Sequence, residues 1–398
     1  MSLTQRIKAR ALELGFDAVG VAGVADRAGA AAPPEAASAS DTQHFEAWLA
    51  GGFHGGMAWL AGERSRERRA DPARILPGVR AIVCLALCHE PARDATRDRR
   101  FGRIARYAAG EDYHQVMRDL LGALERFMVE ELPGARTLGY SDTGAILERS
   151  LAERAELGWI GKHSGLIAPA LGSYFLLGEV LVDRELDPDP PFGREHCGTC
   201  TRCLAACPTA AIVAPYQVDA RRCISYLMIE LRGAIPRELR PLLGDWIFGC
   251  DVCQEACPWN RFAPPARAAR LHARALEGWT LERFLGLDEE AFRALFATSP
   301  IRRARRGGLL RNVCVALGNR AEAESVPALA RALAADPDPL VRAHAAWALG
   351  EIGRRHGGTG TRPEIEQALE AAARDANAEV REEARLALWP AADGGSRS

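Results

Sequence analysis

Eight cysteines crowd between Cys197 and Cys257, in two runs that each end in Cys-Pro. The first is Cys197-x2-Cys200-x2-Cys203-x3-Cys207-Pro208; the second is Cys250-x2-Cys253-x3-Cys257-Pro258, and Cys223 lies between them. A cubane cluster needs four thiolates converging on one small cage. A Cys-x2-Cys-x2-Cys loop wraps three around one face, and in two-cluster ferredoxins the cysteine before proline ligates the other cluster. That rule assigns Cys197, Cys200, Cys203 and Cys257 to one [4Fe–4S] cluster. Cys207, Cys250, Cys253 and Cys223 fall to a second, with Cys223 replacing the missing first cysteine of the second run. Zinc held by four cysteines also uses Cys-x2-Cys pairs. The tight triple, and the Cys-x2-Cys-x3-Cys-Pro ending of both runs, speak against zinc.

The remaining three of the eleven cysteines, Cys84, Cys88 and Cys314, lie in apolar stretches and read as buried packing. Clustered cysteines point to metal or redox chemistry rather than disulfides. Met1 to Phe16 intersperses Leu3, Ile7, Leu14 and Phe16 with charged residues. It reads as an amphipathic helix, not a signal peptide, and no apolar run reaches the roughly 18 residues of a membrane span. A cytoplasmic location is expected. The formal net charge of −1 offers no global case for nucleic-acid or membrane binding, so any such case must rest on local patches.

With 398 residues, 48% of them hydrophobic, the chain has material for more than one core. Residues 1–190 alternate helix-like pieces (Leu3–Leu14, Gln43–Ala50, Tyr113–Glu131, Ile146–Glu156) with strand-like ones (Ala18–Ala22, Ala81–Leu87, Arg136–Tyr140, Tyr174–Val182). An α/β layered domain follows. Ala28–Ser40 reads as a surface loop, and the glycines at 51, 52, 55 and 56 as a connection or a ligand approach. The Pro-rich Asp187–Gly193 marks a boundary, after which residues 191–265 form a ferredoxin-like two-cluster module. Residues 266–398 form a helical bridge and an all-α array. Its helices Leu310–Gly318, Val341–Gly350 and Val380–Leu388 start 31 and 39 residues apart. The second and third follow Asp336-Pro337-Asp338 and Asp375-Ala376-Asn377. A turn, then an Ala/Leu-rich helix with Arg in its first turn, resembles the HEAT repeat.

The N-terminal domain carries neither G-x-G-x-x-G after a strand nor G-x4-G-K-[ST], so a nicotinamide or nucleoside-triphosphate site is unsupported. It carries instead two dense polar stretches, Arg103–His114 and Tyr140–Arg149, the second continuing to His163. Asp142, in Ser-Asp-Thr before an apolar run, reads either as a helix N-cap or as a catalytic acid. Between Pro300 and Asn312, Arg302, Arg303, Arg305, Arg306 and Arg311 place five arginines in ten positions. They form an electrostatic footprint suited to RNA phosphates or a solvated helix end.

The stretches ARYAAGEDYH, YSDTGAILER, GWIGKHSGLI, both cysteine runs, CQEACPWN and RRGGLLRN together resemble the epoxyqueuosine reductase family over nearly the whole chain. The resemblance implies a base-off cobalamin held between the α/β domain and the ferredoxin-like insert, with Arg106, Tyr107, His114, Asp142, Lys162 and His163 as the candidate contacts. No protein ligand to the cobalt is expected. It also implies reduction of the epoxide of epoxyqueuosine at the tRNA wobble position, with Asp142 as proton donor and the arginine-rich segment on tRNA. A low-potential electron donor and a monomeric state are expected. One rival is a reductive dehalogenase, which would more naturally carry a twin-arginine signal and lack the repeats. Another is a ferredoxin-type carrier docked through its repeats, which would leave the N-terminal half without a purpose.

Overall fold

The computed structural model describes residues 1–24, 38–90, 101–272, 276, 278–356 and 361–388. Of the Ala28–Ser40 stretch, only the last three residues fall within these, opening the helix Ser38–Ala50. The chain divides into two compact units whose segments interleave. The first comprises Met1–Arg93, Arg106–Cys223 and Asp251–Ala273; the second comprises Asp94–Ala105, Ile224–Cys250 and Arg274–Ser398. Seven of the eight clustered cysteines belong to the first unit and Cys250 to the second. No helix among the described residues is long and apolar enough to cross a membrane.

The first unit is built on a four-stranded sheet in the order Ala18–Gly23, Ala81–Cys88, Phe175–Val182, Thr137–Tyr140. Every pairing is antiparallel, so the alternation of helix and strand does not build parallel crossovers. The strand Ala81–Cys88 is buried along its whole length, as expected of an unbroken apolar run covered on both faces. Side chains alternate across a strand. Ala81, Val83, Leu85 and Leu87 enter one core, and Ile82 and Cys84 enter another.

Over the first face lie the helices Leu3–Leu14 and Tyr113–Glu131. The latter presents Tyr113, Val116, Met117, Leu121, Leu124 and Met128, the stripe of a one-sided helix. Asp112 caps it by accepting the His114 backbone N–H at 3.1 Å. Over the second face lies the helix Glu148–Arg154, through Leu151 and Ala152. The glycine-rich turn after Ala50 packs against the cysteine segment. The Phe53 carbonyl accepts the Ala220 N–H at 2.8 Å, and Trp48 Nε1 donates to Val218 O at 2.7 Å.

In the second unit, the helices Arg305–Arg320, Pro339–Arg355 and Ala378–Ala387 pack in one row. Val326–Ala335 and Arg362–Ala372 pack in the other. The two turns before the repeat helices are caps: Asp338 accepts from the Leu340 N–H, and Asn377 accepts from Glu379 and Val380. Gly318 lets two helices of one row touch. A Cβ there would lie 2.6 Å from the Trp347 ring and 2.9 Å from the Ala348 Cα.

Candidate functional site

The loop after the strand Thr137–Tyr140 turns sharply, and Asp142 takes a left-handed backbone with φ 61°. For a non-glycine residue that conformation costs free energy and clusters at functional sites. It excludes the capping reading: the next helix starts at Glu148, with Leu147 as its cap and no side-chain cap bond. The turn is held by the Asp142 N–H donating to Glu148 Oε1 at 2.6 Å. The Asp142 side chain is 64% exposed.

Two neighbours on the Tyr113–Glu131 helix converge on one oxygen of that carboxylate. Tyr113 Oη donates to Asp142 Oδ2 at 2.7 Å, and His114 Nε2 lies 3.4 Å from the same atom. His114 Nδ1 lies 2.7 Å from Asp112 Oδ1, so the residue that caps the helix also orients the imidazole. These hydrogen bonds, Asp112 first and Asp142 next, push His114 up to about 9. The ring is therefore an imidazolium at neutral pH, stacked on Tyr113 with centroids 4.0 Å apart. Aromatic contacts continue away from it, Tyr113 to Tyr107, Tyr107 to His89, and His89 to Tyr174.

Behind Asp142 stand two acids that the sequence did not single out. Glu179 sits on the strand Phe175–Val182 opposite Cys84, with no exposed surface. Burial, reinforced by Glu148, holds its carboxyl well above the usual range. Glu148 is half-buried. Burial, with the Asp142 carboxylate adding, pushes it up to about 7. An acidic residue inside an otherwise apolar strand was the available signal, at Glu179 in FLLGEVLV.

The first cluster's expected ligands come together. Cys197, Cys200, Cys203 and Cys257 line one cavity, along with Lys162 and His163. Cys253 is influenced electrostatically by Cys223 and Cys207, and Cys207 Sγ accepts the Ala211 N–H at 3.2 Å. Gln254 and Asn260 clamp the second run to Ser173. Gln254 Nε2 donates to Ser173 O at 2.7 Å, and Asn260 Oδ1 accepts the Ser173 N–H at 2.5 Å. Cys84, Cys88 and Cys314 are buried, and burial raises all three thiols.

Several expected contacts are placed elsewhere. The Arg106 guanidinium is buried, 3.1 Å from both Glu90 and Glu255, and donates to Tyr174 Oη at 3.0 Å. Its charge is fully used within the fold. Lys162 ties the first cysteine loop, donating to the carbonyls of Gly198 and Cys200. Both Lys162 and His163 thus stand at the cysteine cavity. Tyr107 remains half-buried in the aromatic row leading to Asp142.

The arginine segment of the second unit also divides. Arg311 is fully buried and donates to the carbonyls of Leu227, Leu231 and Gly233. Arg306 is buried against Asp336 and Leu287 O. Both side chains are buried, with every guanidinium nitrogen bonded inside the fold, so neither presents its charge at the surface. Arg342 and Arg381, in the first turns of the repeat helices, bind Asp375 and neighbouring turn carbonyls. Arg302, Arg303 and Arg305 are exposed, and Arg303 pairs with Glu230. Exposed Arg232, missed in the sequence, donates to Arg303 O, and Arg305 and Arg303 lower its pKa further after burial.

The chain is similar to known proteins throughout. Residues 69–143 match the family model "Epoxyqueuosine reductase QueG, DUF1730". Residues 196–260 match the 4Fe-4S double cluster binding domain, and 301–389 match HEAT repeats. An epoxyqueuosine reductase of Pseudomonas aeruginosa is 42% identical over 366 residues, covering 90% of this chain and 95% of the relative. One from Escherichia coli is 40% identical over 360 residues, covering 89% and 91%. A crystal structure of an epoxyqueuosine reductase with an epoxyqueuosine-modified tRNA-Tyr stem loop matches with TM-score 0.84. It is 30% identical, with 97% of each chain covered. A Bacillus subtilis structure whose catalytic loop is swung out of the active site matches with TM-score 0.83, 30% identity, and 97% and 98% coverage.

Proposed function

The chain belongs to the epoxyqueuosine reductase family, and on that premise we propose that it reduces the epoxide of epoxyqueuosine in tRNA to the alkene of queuosine. The reaction consumes two electrons and two protons and releases the epoxide oxygen as water. Cys197, Cys200, Cys203 and Cys257 hold one [4Fe–4S] cluster. Cys207, Cys223, Cys250 and Cys253 hold the other, and together they relay single electrons from a low-potential donor. That the first four thiols line one cavity supports their grouping.

Cobalamin, when bound, supplies a metal centre able to accept these single electrons and act on the strained ring. The fit for it rests on the row Tyr174–His89–Tyr107–Tyr113, packed edge to face, in which half-buried Tyr107 is the accessible ring. His89 Nδ1 in that row is buried without a protein partner among the described residues. Tyr107 and His114 are the proposed contacts.

The observation that carries the reading is Asp142: an exposed carboxyl on strained backbone, with a phenol and an imidazolium aimed at one of its oxygens. An epoxide oxygen departs readily only when protonated; the Asp142 carboxylate takes a proton from the His114 imidazolium, 3.4 Å away, and delivers it to that oxygen. Asp112 keeps the ring facing Asp142. The parts act as an α/β catalytic domain over residues 1–190, a two-cluster module over 191–265, and a helical-repeat region over 266–398. Arg232, Arg302, Arg303 and Arg305 of the last two parts form the tRNA-facing patch. The protein works as a cytoplasmic monomer.

The test is anaerobic. Cluster-loaded protein is incubated with epoxyqueuosine-containing tRNA and a strong reductant, with and without cobalamin, and nucleosides are weighed by mass spectrometry. Cobalamin-dependent loss of one oxygen mass is expected. Intact clusters and bound cobalamin without conversion would point to another reductive substrate. Protein that binds no cobalamin would be a carrier.

A further inference from the structure

We infer that His163 donates a hydrogen bond from Nε2 to the sulfur of the cluster held by Cys197, Cys200, Cys203 and Cys257, and so raises that cluster's reduction potential. The inference rests on the cluster assignment proposed above and goes beyond it, naming a non-ligand residue that tunes one cluster of the two.

The ring's chemistry is set by its two edges. His163 is 7% exposed. Its Nδ1 accepts the Gly165 N–H at 3.0 Å, so Nδ1 presents a lone pair and the proton resides on Nε2. A proton on both nitrogens would set two N–H groups against each other. Nε2 is buried with no hydrogen-bond partner among the described residues. A buried N–H left without an acceptor costs about 1–3 kcal/mol. The ring lines the cavity where the four thiols meet, and sulfur there is the acceptor that would satisfy it.

The ring is also held in place. His163 sits in a tight turn between the paired strands Trp159–Ile160 and Leu166–Ile167. The turn is closed by Gly161 N–H to Gly165 O and Ser164 N–H to Gly161 O, both 2.8 Å. Its neighbour Lys162 ties the same turn to the Gly198 and Cys200 carbonyls. The donor and the first cysteine loop are therefore one rigid piece. His196 also lines the cavity, but it is exposed and stacks on Trp159, Phe192 and Trp259.

An N–H directed at cluster sulfur stabilises the reduced, more negative state, so the potential rises. Backbone N–H groups already reach thiols of both sets, Ala211 at Cys207, Leu204 at Cys203, and Trp259 and Asn260 at Cys257. His163 supplies the first set with a side-chain donor, and thereby fixes how the electron divides between the two clusters.

The experiment is a potentiometric titration followed by EPR on the full-length protein with both clusters loaded, comparing wild type, His163→Phe and His163→Gln. In His163→Phe one cluster shifts to lower potential. At the wild-type midpoint, its reduced-to-oxidised ratio falls about tenfold, a shift of about 59 mV for one electron. The other cluster is unmoved, and His163→Gln, which keeps an N–H, stays near wild type. Unchanged potentials in His163→Phe at full iron content would overturn the inference, as would a Gln variant that falls as far as Phe. Wild-type protein without cluster signals would instead overturn the cluster assignment itself. Should the Phe variant load no cluster, pulsed EPR of ¹⁵N-histidine-labelled protein in a His196→Phe background decides. A histidine nitrogen coupled to a reduced cluster supports the bond, and none refutes it.

Discussion

Asp142 and Glu179 are both acidic, yet the fold treats them oppositely. Asp142 stands in solvent beside a cation, and Glu179 is sealed inside the fold beside Glu148. Asp142→Asn removes the proton but keeps the shape. Conversion should fall by about 10²- to 10⁴-fold, the usual worth of a general acid, while iron content and cluster EPR signals stay unchanged. Glu179 gives a signed pH effect. Its carboxyl titrates in the unfolded chain near 4.5 and well above that in the fold, so between those values the folded state holds a proton that the unfolded state has lost. Stability contributed by this group is therefore present at low pH and falls as pH rises through that window, by about 1.4 kcal/mol per unit. Glu179→Gln should melt higher than wild type at pH 8, with the gap closing toward pH 5; a constant gap would rule this account out. At this scale the sequence was legible where spacing carries chemistry, as in the cysteines. At Glu179 an acid in an apolar strand was a signal without a meaning, because a lone acid does not declare whether it will be buried, and Glu148, at a helix start, carried none.

The elements themselves followed from periodicity. Tyr113–Glu131 forms a helix over the residues its apolar spacing demands, and Ala81–Cys88 a strand covered on both faces. Propensity and pattern agree there, and nothing tertiary opposes them. The arginines at the starts of the repeat helices were harder. Periodicity shows that they recur, but not that Arg342 reaches forward to Asp375 at 2.8 Å and Arg306 to Asp336. These pairs clamp successive repeats. A double-mutant cycle of Arg342→Met with Asp375→Asn should show coupling of about 1 kcal/mol or more in chemical denaturation. The exposed Arg303–Glu230 pair should give about half a kcal/mol or less. Equal couplings would refute a clamp role.

At the scale of the molecule, redox and RNA functions separate by residue. Cys203→Ala should lower iron from about eight to about four per chain and abolish one of two EPR signals. Replacing Arg232, Arg303 and Arg305 by alanine should weaken tRNA binding and flatten the dependence of log K on log salt by about 0.7 to 1 per residue. Arg311→Met would instead lower the melting temperature through the stranded carbonyls of Leu227, Leu231 and Gly233, at a cost of about 3 kcal/mol. A changed salt slope in Arg311→Met, with stability intact, would return that residue to the RNA surface.

Local order determined the cysteine spacings, the helix and strand periods, the caps at Asp112, Asp338 and Asn377, and the family motifs. Each of these depends on residues within a turn or two of one another. Only the tertiary structure decided that Arg106, Arg306 and Arg311 spend their charge inside the fold, and that Lys162 and His163 line the cysteine cavity. It also decided that Tyr113 and His114 meet Asp142 from another element. Burial and charge pairing are settled by whichever distant segment arrives alongside, and sequence spacing carries no measure of that distance.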